Sequence, residues 1–356
     1  MTDNEIENDG DAAVTLNRQV GAIAAPIVVR CLRDHYGMEA EVAPLRGERD
    51  TNFLVLVDGA ASYVLRIANP AEPRVVADFR AAALQHIEHS ARSLPVPRIR
   101  PTLAGEPGFE LQGVDGRRFG QLVSYLPGTP MASLRDGARQ CRHLGEVAAR
   151  MALALQAFDH PGARHALLWD IGQAAQAMRY VHHTGTPEHK AIVSRVLMTF
   201  AERVAPVLAG LRAQVIHNDL NPHNILTSED GKEVVGIIDF GDIVHSALVN
   251  DVAVACSYLI RDASDPLGPI CDFLTAYCDI LPLEERELEL LPDLVATRLA
   301  LTVVITNWRA ALHPDNASYI LRNQQGAIQG LLQLSALAPH AVRDRFMVAA
   351  LGGTRR

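Results

Sequence analysis

Apolar and polar positions along the chain first alternate at the strand period, then settle into the helical one. Phe53-Leu54-Val55-Leu56-Val57 is a β-prone run, and Tyr63-Val64-Leu65-Arg66-Ile67 is its return strand. Asp58-Gly59 between them is a tight-turn signal, and Asn69-Pro70 stops the second strand. Residues 14–36 are apolar at mixed spacing and read as helical. Across 75–90, Phe79, Ala82, Ala83 and Ile87 fall on one helical stripe. Pro95, Pro97 and Pro101 mark an extended loop, and 109–111 and 119–125 predict two more strands. Pro127-Gly128-Thr129-Pro130 then breaks the chain. After it Leu144, Val147, Ala148, Met151, Leu155 and Phe158 recur every three or four residues, an amphipathic helix packing a core. Residues 189–209 and 285–338 are mainly helical, and one β-rich island, 215–240, lies between them. The pattern predicts an α+β chain: a disordered tail over 1–13, a small strand-rich lobe over 14–126 and a larger helical lobe over 127–356.

Composition narrows the classes. The chain has 356 residues, 48% of them hydrophobic and 21% charged, which is globular. Its 33 basic against 41 acidic residues give a net charge of −8, contrary to the basic surface of a nucleic-acid binder. The acidity is local. Residues 1–13 carry five acids and no base, and 284–293 carry five acids against Arg286. No apolar run approaches the ~20 residues of a membrane span, and the N-terminus lacks the order of a signal peptide. Five irregularly spaced cysteines, with no C-x-x-C pair, predict reduced thiols and a cytoplasmic protein.

The island carries the chemistry. It reads Val215-Ile216-His217-Asn218-Asp219-Leu220-Asn221-Pro222-His223-Asn224-Ile225-Leu226, a turn at 229–232, then Ile237-Ile238-Asp239-Phe240-Gly241-Asp242. One carboxylate to accept a hydroxyl proton, with an amide oxygen and a second carboxylate to hold Mg²⁺, is what phosphoryl transfer needs. H-x-D-x-x-x-x-N followed by D-F-G is the order and spacing of the protein-kinase catalytic and metal loops.

With these residues the chain resembles the aminoglycoside phosphotransferase family over about residues 43–337, and within it the hydroxylysine-kinase-like branch. The resemblance is carried by Leu45-Arg46-Gly47-Glu48-Arg49-Asp50-Thr51-Asn52-Phe53, by Tyr125-Leu126-Pro127-Gly128-Thr129-Pro130, and by Asp239-Phe240-Gly241-Asp242-Ile243-Val244-His245-Ser246 with Asn250-Asp251-Val252-Ala253. The family's usual H-G-D is His217-Asn218-Asp219 here. The resemblance implies a two-lobed protein-kinase-like fold, Asp219 as catalytic base, Asn224 and Asp239 as Mg²⁺ ligands, and His217 as a support of the loop. It implies ATP or GTP as phosphoryl donor, held by backbone N–H groups of Asp50, Thr51 and Asn52 and, at the base, by backbone groups of Ser124 and Leu126. Where such kinases place a strand Lys and a helix Glu, this chain offers Arg66 and Asp78. Either the two form a working pair of compensating lengths, or the lobe has lost efficient catalysis, or Arg66 is a surface residue at the strand edge.

The acceptor is implied to be a small amine or hydroxy-amino acid. Arg298 and Arg309 are eleven residues apart and share a helix face. Arg298 is read either as a grip for an acceptor carboxylate or as an inter-helix salt bridge, and Asp242 as a partner for an acceptor ammonium. 5-Hydroxylysine suits this set best; an aminoglycoside, homoserine, choline or ethanolamine are the alternatives, and an inactive nucleotide-binding module is the rival of another class. The 284–293 acids are read as a helix start rather than a cleft for a polycation.

Overall fold

The computed structural model describes residues 21–47, 49–113, 116–134, 137–260 and 264–352. The tail over 1–13, the first part of the 14–36 segment and Glu48 lie outside them. The chain forms two compact units.

The first unit comprises residues up to Arg92, Val96–Pro127 and His160–Ala166. Helix α1 (Ala25–Tyr36) starts with Pro at its first turn and ends on Gly37 at φ 65°, a conformation that suits a residue without Cβ. An antiparallel sheet follows: β1 (Glu41–Leu45), β2 (Thr51–Val57), β3 (Ala60–Ile67), β4 (Ile99–Arg100), β5 (Phe109–Gly113) and β6 (Gly116–Ser124). Its order is β1-β2-β3-β6-β4, with β5 also on β6. The β2–β3 turn has Asp58 at φ 52° and Gly59 at φ 78°, the twist a two-residue hairpin requires. Phe53 and Val55 of β2 and Leu65 and Ile67 of β3 alternate onto one face, where Val28, Leu32 and Tyr36 of α1 cover them. Each such side chain, fully buried, stabilises the unit by about 1.5–3 kcal/mol. Helix α2 (Arg74–Ser90) buries Val76, Ala77, Phe79, Arg80, Ala83, Leu84 and Ile87. The stretch 160–166, which the sequence reading assigned to the second lobe, docks on α2. The His160 ring stacks on Phe79 at 5.7 Å, and Gly162 has no space for a side chain beside the Val75 carbonyl.

The second unit comprises Ser93–Pro95, Gly128–Asp159 and the chain from Leu167 on. Strand β7 (Thr129–Pro130) leads to helix α3 (Gly137–Leu155), a 3₁₀ run (Ile171–His183) and helix α4 (Pro187–Thr199). Strands β8 (Ala213–Ile216), β9 (Ile225–Thr227), β10 (Val234–Ile237) and β11 (Val244–Ala247) come next. Helices α5 (Leu248–Ser257), α6 (Gly268–Ile280), α7 (Glu285–Leu312), α8 (Gln324–Ala336) and α9 (Pro339–Gly352) complete it. The β-rich island is not one sheet. β9 pairs β10 and β7, whereas β8 pairs β11. Two short ladders therefore hold the 217–224 loop and the 238–243 loop from opposite ends.

Helix α7 is 28 residues long and buried on most sides, Arg298 and Arg309 included. Its start explains the 284–293 acids. Glu284 and Glu287 form a reciprocal capping box, and fully buried Glu287 also receives Arg212 Nε at 2.9 Å. Among the described residues no helix is long and apolar enough to cross a membrane.

Candidate active site

In the second unit, β8 delivers His217-Asn218-Asp219 into a loop that cannot be regular. Asn218 sits at φ 63°, which explains why Asn stands where Gly is usual: both tolerate the left-handed region. The Asn218 N–H donates to Asp251 Oδ1 at 2.7 Å, so Asp251, at the start of α5, braces the loop. Burial pushes the Asp251 carboxyl up to about 6, against the opposing pull of the Asn218 and His217 N–H groups and Arg298. His217 is fully buried, edge-on to Phe240 at 4.7 Å, and its Nδ1 accepts the Asp219 N–H at 3.2 Å. Burial lowers its pKa to about 4, although Asp242 and the Ile238 backbone act to raise it. It is a neutral support for the loop.

Asp219 is held at both carboxylate oxygens. Asn221 Nδ2 donates to each at 3.0 Å, Asn224 Nδ2 donates to Oδ2 at 2.7 Å, and Arg298 Nη2 donates to Oδ1 at 3.3 Å. Burial raises the Asp219 pKa to about 7, followed by Asp242 and Asp239, while Arg298 and Asn221 lower it. A cation bound nearby would pull it down again.

Asn224 also donates Nδ2 to the Asp219 carbonyl at 3.1 Å. Its amide nitrogen is thereby fixed toward Asp219, and its Oδ1 is the atom left for a cation. Asp239 follows β10 at φ 63°, exposed, with Oδ1 accepting the Gly241 N–H at 3.1 Å. An amide oxygen and a carboxylate on two short loops fit Mg²⁺, which takes one or two protein oxygens and completes its shell with phosphate and water.

Of the acceptor residues read from sequence, Arg298 and Asp242 are at Asp219. Asp242 is buried, with an electrostatic influence on Asp219, His217 and Arg298. Arg298 is engaged twice, through Asp219 and through Nη1 on the Trp169 carbonyl at 2.7 Å, and its guanidinium lies 5.1 Å from the Trp169 ring centre. Arg298 is thus ion-paired, but to the loop residue Asp219 and not to another helix. Arg309 is buried about 16 Å further along α7 and does not reach Asp219. Asn221 and Trp169 escaped the sequence reading. Asn221 had a local signal: two residues after Asp219, its Oδ1 takes the His223 N–H at 2.8 Å in an Asx turn.

The first unit holds the residues read as nucleotide-binding, with one correction. Arg66 of β3 does not pair with Asp78. Its Nε and Nη2 meet Asp50 Oδ2 at 2.7 and 2.6 Å, and Nη2 meets Glu72 Oε2 at 3.0 Å. Asp78 lies on the flank of α2 one turn from Arg74, which captures it at 2.8 Å. Burial works against a charged Asp50, but Arg66, Arg80 and Arg49 outweigh it and hold its carboxyl below the usual range. Thr51 and Asn52 begin β2, opposite Ile67 and Arg66, rather than lying in a free loop.

At the other end of the sheet the Ser124 N–H donates to Arg98 O, and the Arg98 N–H goes to the Ser124 hydroxyl, both at 2.9 Å. The Ser124 hydroxyl thus takes the N–H that a regular ladder would give to the Ser124 carbonyl. The Tyr125 N–H is taken by Ser62 O at 3.0 Å, so the next backbone donor along the chain is that of Leu126.

Comparison with known proteins agrees with this geometry. The profile of the phosphotransferase enzyme family matches residues 41–291. Hydroxylysine kinase of Danio rerio is 28% identical over 335 residues, covering 88% of this chain and 92% of that protein. Homoserine kinase of Methylobacillus flagellatus is 30% identical over 247 residues, covering 68% and 70%. Among solved structures, a microcompartment-associated aminopropanol kinase superposes with a TM-score of 0.69 at 18% identity, covering 88% of this chain and 98% of that one. That likeness shows the kinase-like fold. With most of its length under one family profile, the chain belongs to the phosphotransferase enzyme family and is a small-molecule phosphotransferase.

Proposed function

We propose that the protein transfers the γ-phosphoryl group of ATP or GTP to the hydroxyl of a small hydroxylated amine or amino acid, 5-hydroxylysine being the first choice. The observation that carries this is the fixed carboxylate of Asp219, locked at both oxygens by Asn221, Asn224 and Arg298. A base so held pays no reorganisation at the moment of reaction. Asp219 takes the acceptor's hydroxyl proton, the acceptor oxygen forms its bond to the γ-phosphorus, and the bond from that phosphorus to the β–γ bridging oxygen breaks, releasing the nucleoside diphosphate. Asn224 Oδ1 and Asp239 would hold Mg²⁺, which neutralises charge on the phosphate oxygens. The acceptors in the names of the kinases above each carry an amino group as well as a hydroxyl. The buried carboxylate of Asp242 beside the base suits that ammonium. Arg298, already committed to Asp219, contributes less to binding an acceptor carboxylate.

The test is nucleoside-diphosphate release across 5-hydroxylysine, homoserine, aminopropanol, ethanolamine, choline and an aminoglycoside, each with ATP and with GTP. The expected result is the highest kcat/KM for 5-hydroxylysine, with Asp219→Asn lowering kcat by about 10²–10⁴-fold. No turnover of 5-hydroxylysine alongside turnover of another alcohol would sink the substrate choice. Wild-type turnover in Asp219→Asn would sink the mechanism.

A further inference from the structure

Arg66 is set in a charged cluster that no family pattern in this sequence announces. Glu72 lies in the short connection from β3 to α2, fixed by its N–H on the Asn69 carbonyl at 2.9 Å. Its side chain is 9% exposed, and its Oε2 meets both Arg66 Nη2, at 3.0 Å, and Arg80 Nη2. Arg80 is buried on the inner face of α2. On the opposite side of Arg66, Asp50 takes Nε and Nη2 through Oδ2, while its Oδ1 receives the Asn69 N–H at 2.9 Å. Asn69 in turn donates Nδ2 to the Arg49 carbonyl at 3.2 Å, tying the strand end to the segment before β2.

Two of the three Arg66 guanidinium nitrogens, Nε and Nη2, are therefore engaged by carboxylates. Nη1 is buried and has no protein partner among the described residues. A guanidinium oriented from two sides, with one terminal nitrogen left over, is a fixed donor for an anion. Exposed Asp78, held by Arg74, contributes nothing to this orientation.

We infer that Glu72, rather than Asp78, is the carboxylate that positions Arg66 for the nucleotide's phosphates, with Asp50 clamping the same guanidinium from the other side and Arg80 holding Glu72 in place. The inference rests on the proposed nucleotide-dependent kinase activity. A lysine on this strand needs one carboxylate, because its ammonium is a point charge; an arginine needs its plane set, and two carboxylates set it. The pairing moves from the helix to the loop before it because the loop carboxylate, six residues after Arg66, reaches the end of β3 directly. Glu72 is a positioning residue: it acts through Arg66.

The test uses the full chain with saturating acceptor and Mg²⁺, reading the KM for nucleotide, the KM for acceptor and kcat separately. Glu72→Gln is expected to raise the nucleotide KM about tenfold with the acceptor KM unchanged, and Glu72→Asp, which keeps the charge, to recover part of that loss. Arg66→Lys is expected to raise the nucleotide KM too, and the double variant Arg66→Lys/Glu72→Gln to be no worse than the poorer single variant, because both act through one contact. Should Glu72→Gln fold poorly, Glu72→Asp takes its place, alone and in the double variant with Arg66→Lys, and the same outcomes decide the matter. An unchanged nucleotide KM in a folded Glu72→Gln, fully additive losses in the double variant, or a larger nucleotide effect from Asp78→Asn overturns the inference while leaving the kinase reading standing. A wild-type protein that turns over no nucleotide with any acceptor overturns both.

Discussion

The neutral His217 makes acid stability a direct test of the loop's construction. The imidazole is fully buried, accepts the Asp219 N–H, and has its pKa lowered to about 4 from 6.5. In the unfolded chain it takes up a proton near pH 6.5; in the folded protein it does not until about pH 4. The unfolded state therefore binds more protons in this window, and stability falls as pH falls through it. Linkage from those two values gives a loss of about 2 kcal/mol between pH 7 and pH 5 from this residue alone. Asp251, pushed up to about 6, acts in the opposite sense, because its folded form holds a proton that the unfolded form has released. The His217 share is therefore read as a difference, wild type minus His217→Gln, whose amide oxygen can still accept the Asp219 N–H. Both tryptophans, Trp169 and Trp308, lie in the second unit with His217, so their fluorescence in urea melts follows the relevant transition. The expected outcome is a wild-type curve about 2 kcal/mol steeper than that of His217→Gln from pH 7 to pH 5. Parallel curves would refute a buried neutral imidazole and, with it, this account of the loop.

Two further perturbations bear on neighbouring features. Glu287→Ala removes the N-terminal box of α7 and the buried carboxylate that holds Arg212, leaving Arg212 only Glu284 and the Pro282 carbonyl; a loss of about 2–4 kcal/mol in urea melts is expected with both KM values unchanged, and a loss under about 0.5 kcal/mol would show the box to be ornamental. Asn218 is fully buried, with neither end of its amide partnered among the described residues, so Asn218→Gly is expected to cost nothing or to stabilise by up to about 1 kcal/mol. Asn218→Val, a branched side chain at φ 63°, is expected to cost about 2 kcal/mol or more. A reversed order in the same melts would contradict the left-handed requirement at this position.

What sequence made legible was what local rules govern. The β2–β3 hairpin follows from alternation around Asp58-Gly59, and the helix over 74–90 from one apolar stripe. Asp219 and Asn224 fall five residues apart in one loop, so their meeting needs only that loop. The rest depends on partners that sequence distance hides. β8 pairs with β11 across the whole island, because the two flanking loops must return to the same place. Arg66 takes Glu72 and Asp50 instead of Asp78, because Arg74 one helical turn away competes for Asp78 at lower entropic cost. Stretch 160–166 joins the first unit through a stacked ring and a glycine contact, neither of which has a periodic signature.

The bond from Arg298 to Asp219 joins residues 79 positions apart, and Arg298 lies past residue 291, where the match to the family profile stops. The Asp219 cluster thus draws on a residue beyond the segment that the family profile matches. During synthesis the 217–224 loop emerges before the helix that brings Arg298 to Asp219. Until α7 docks, Asp219 has its two amide neighbours but no counter-charge. Completion of the Asp219 cluster therefore depends on the arrival of α7 and not on the loop alone.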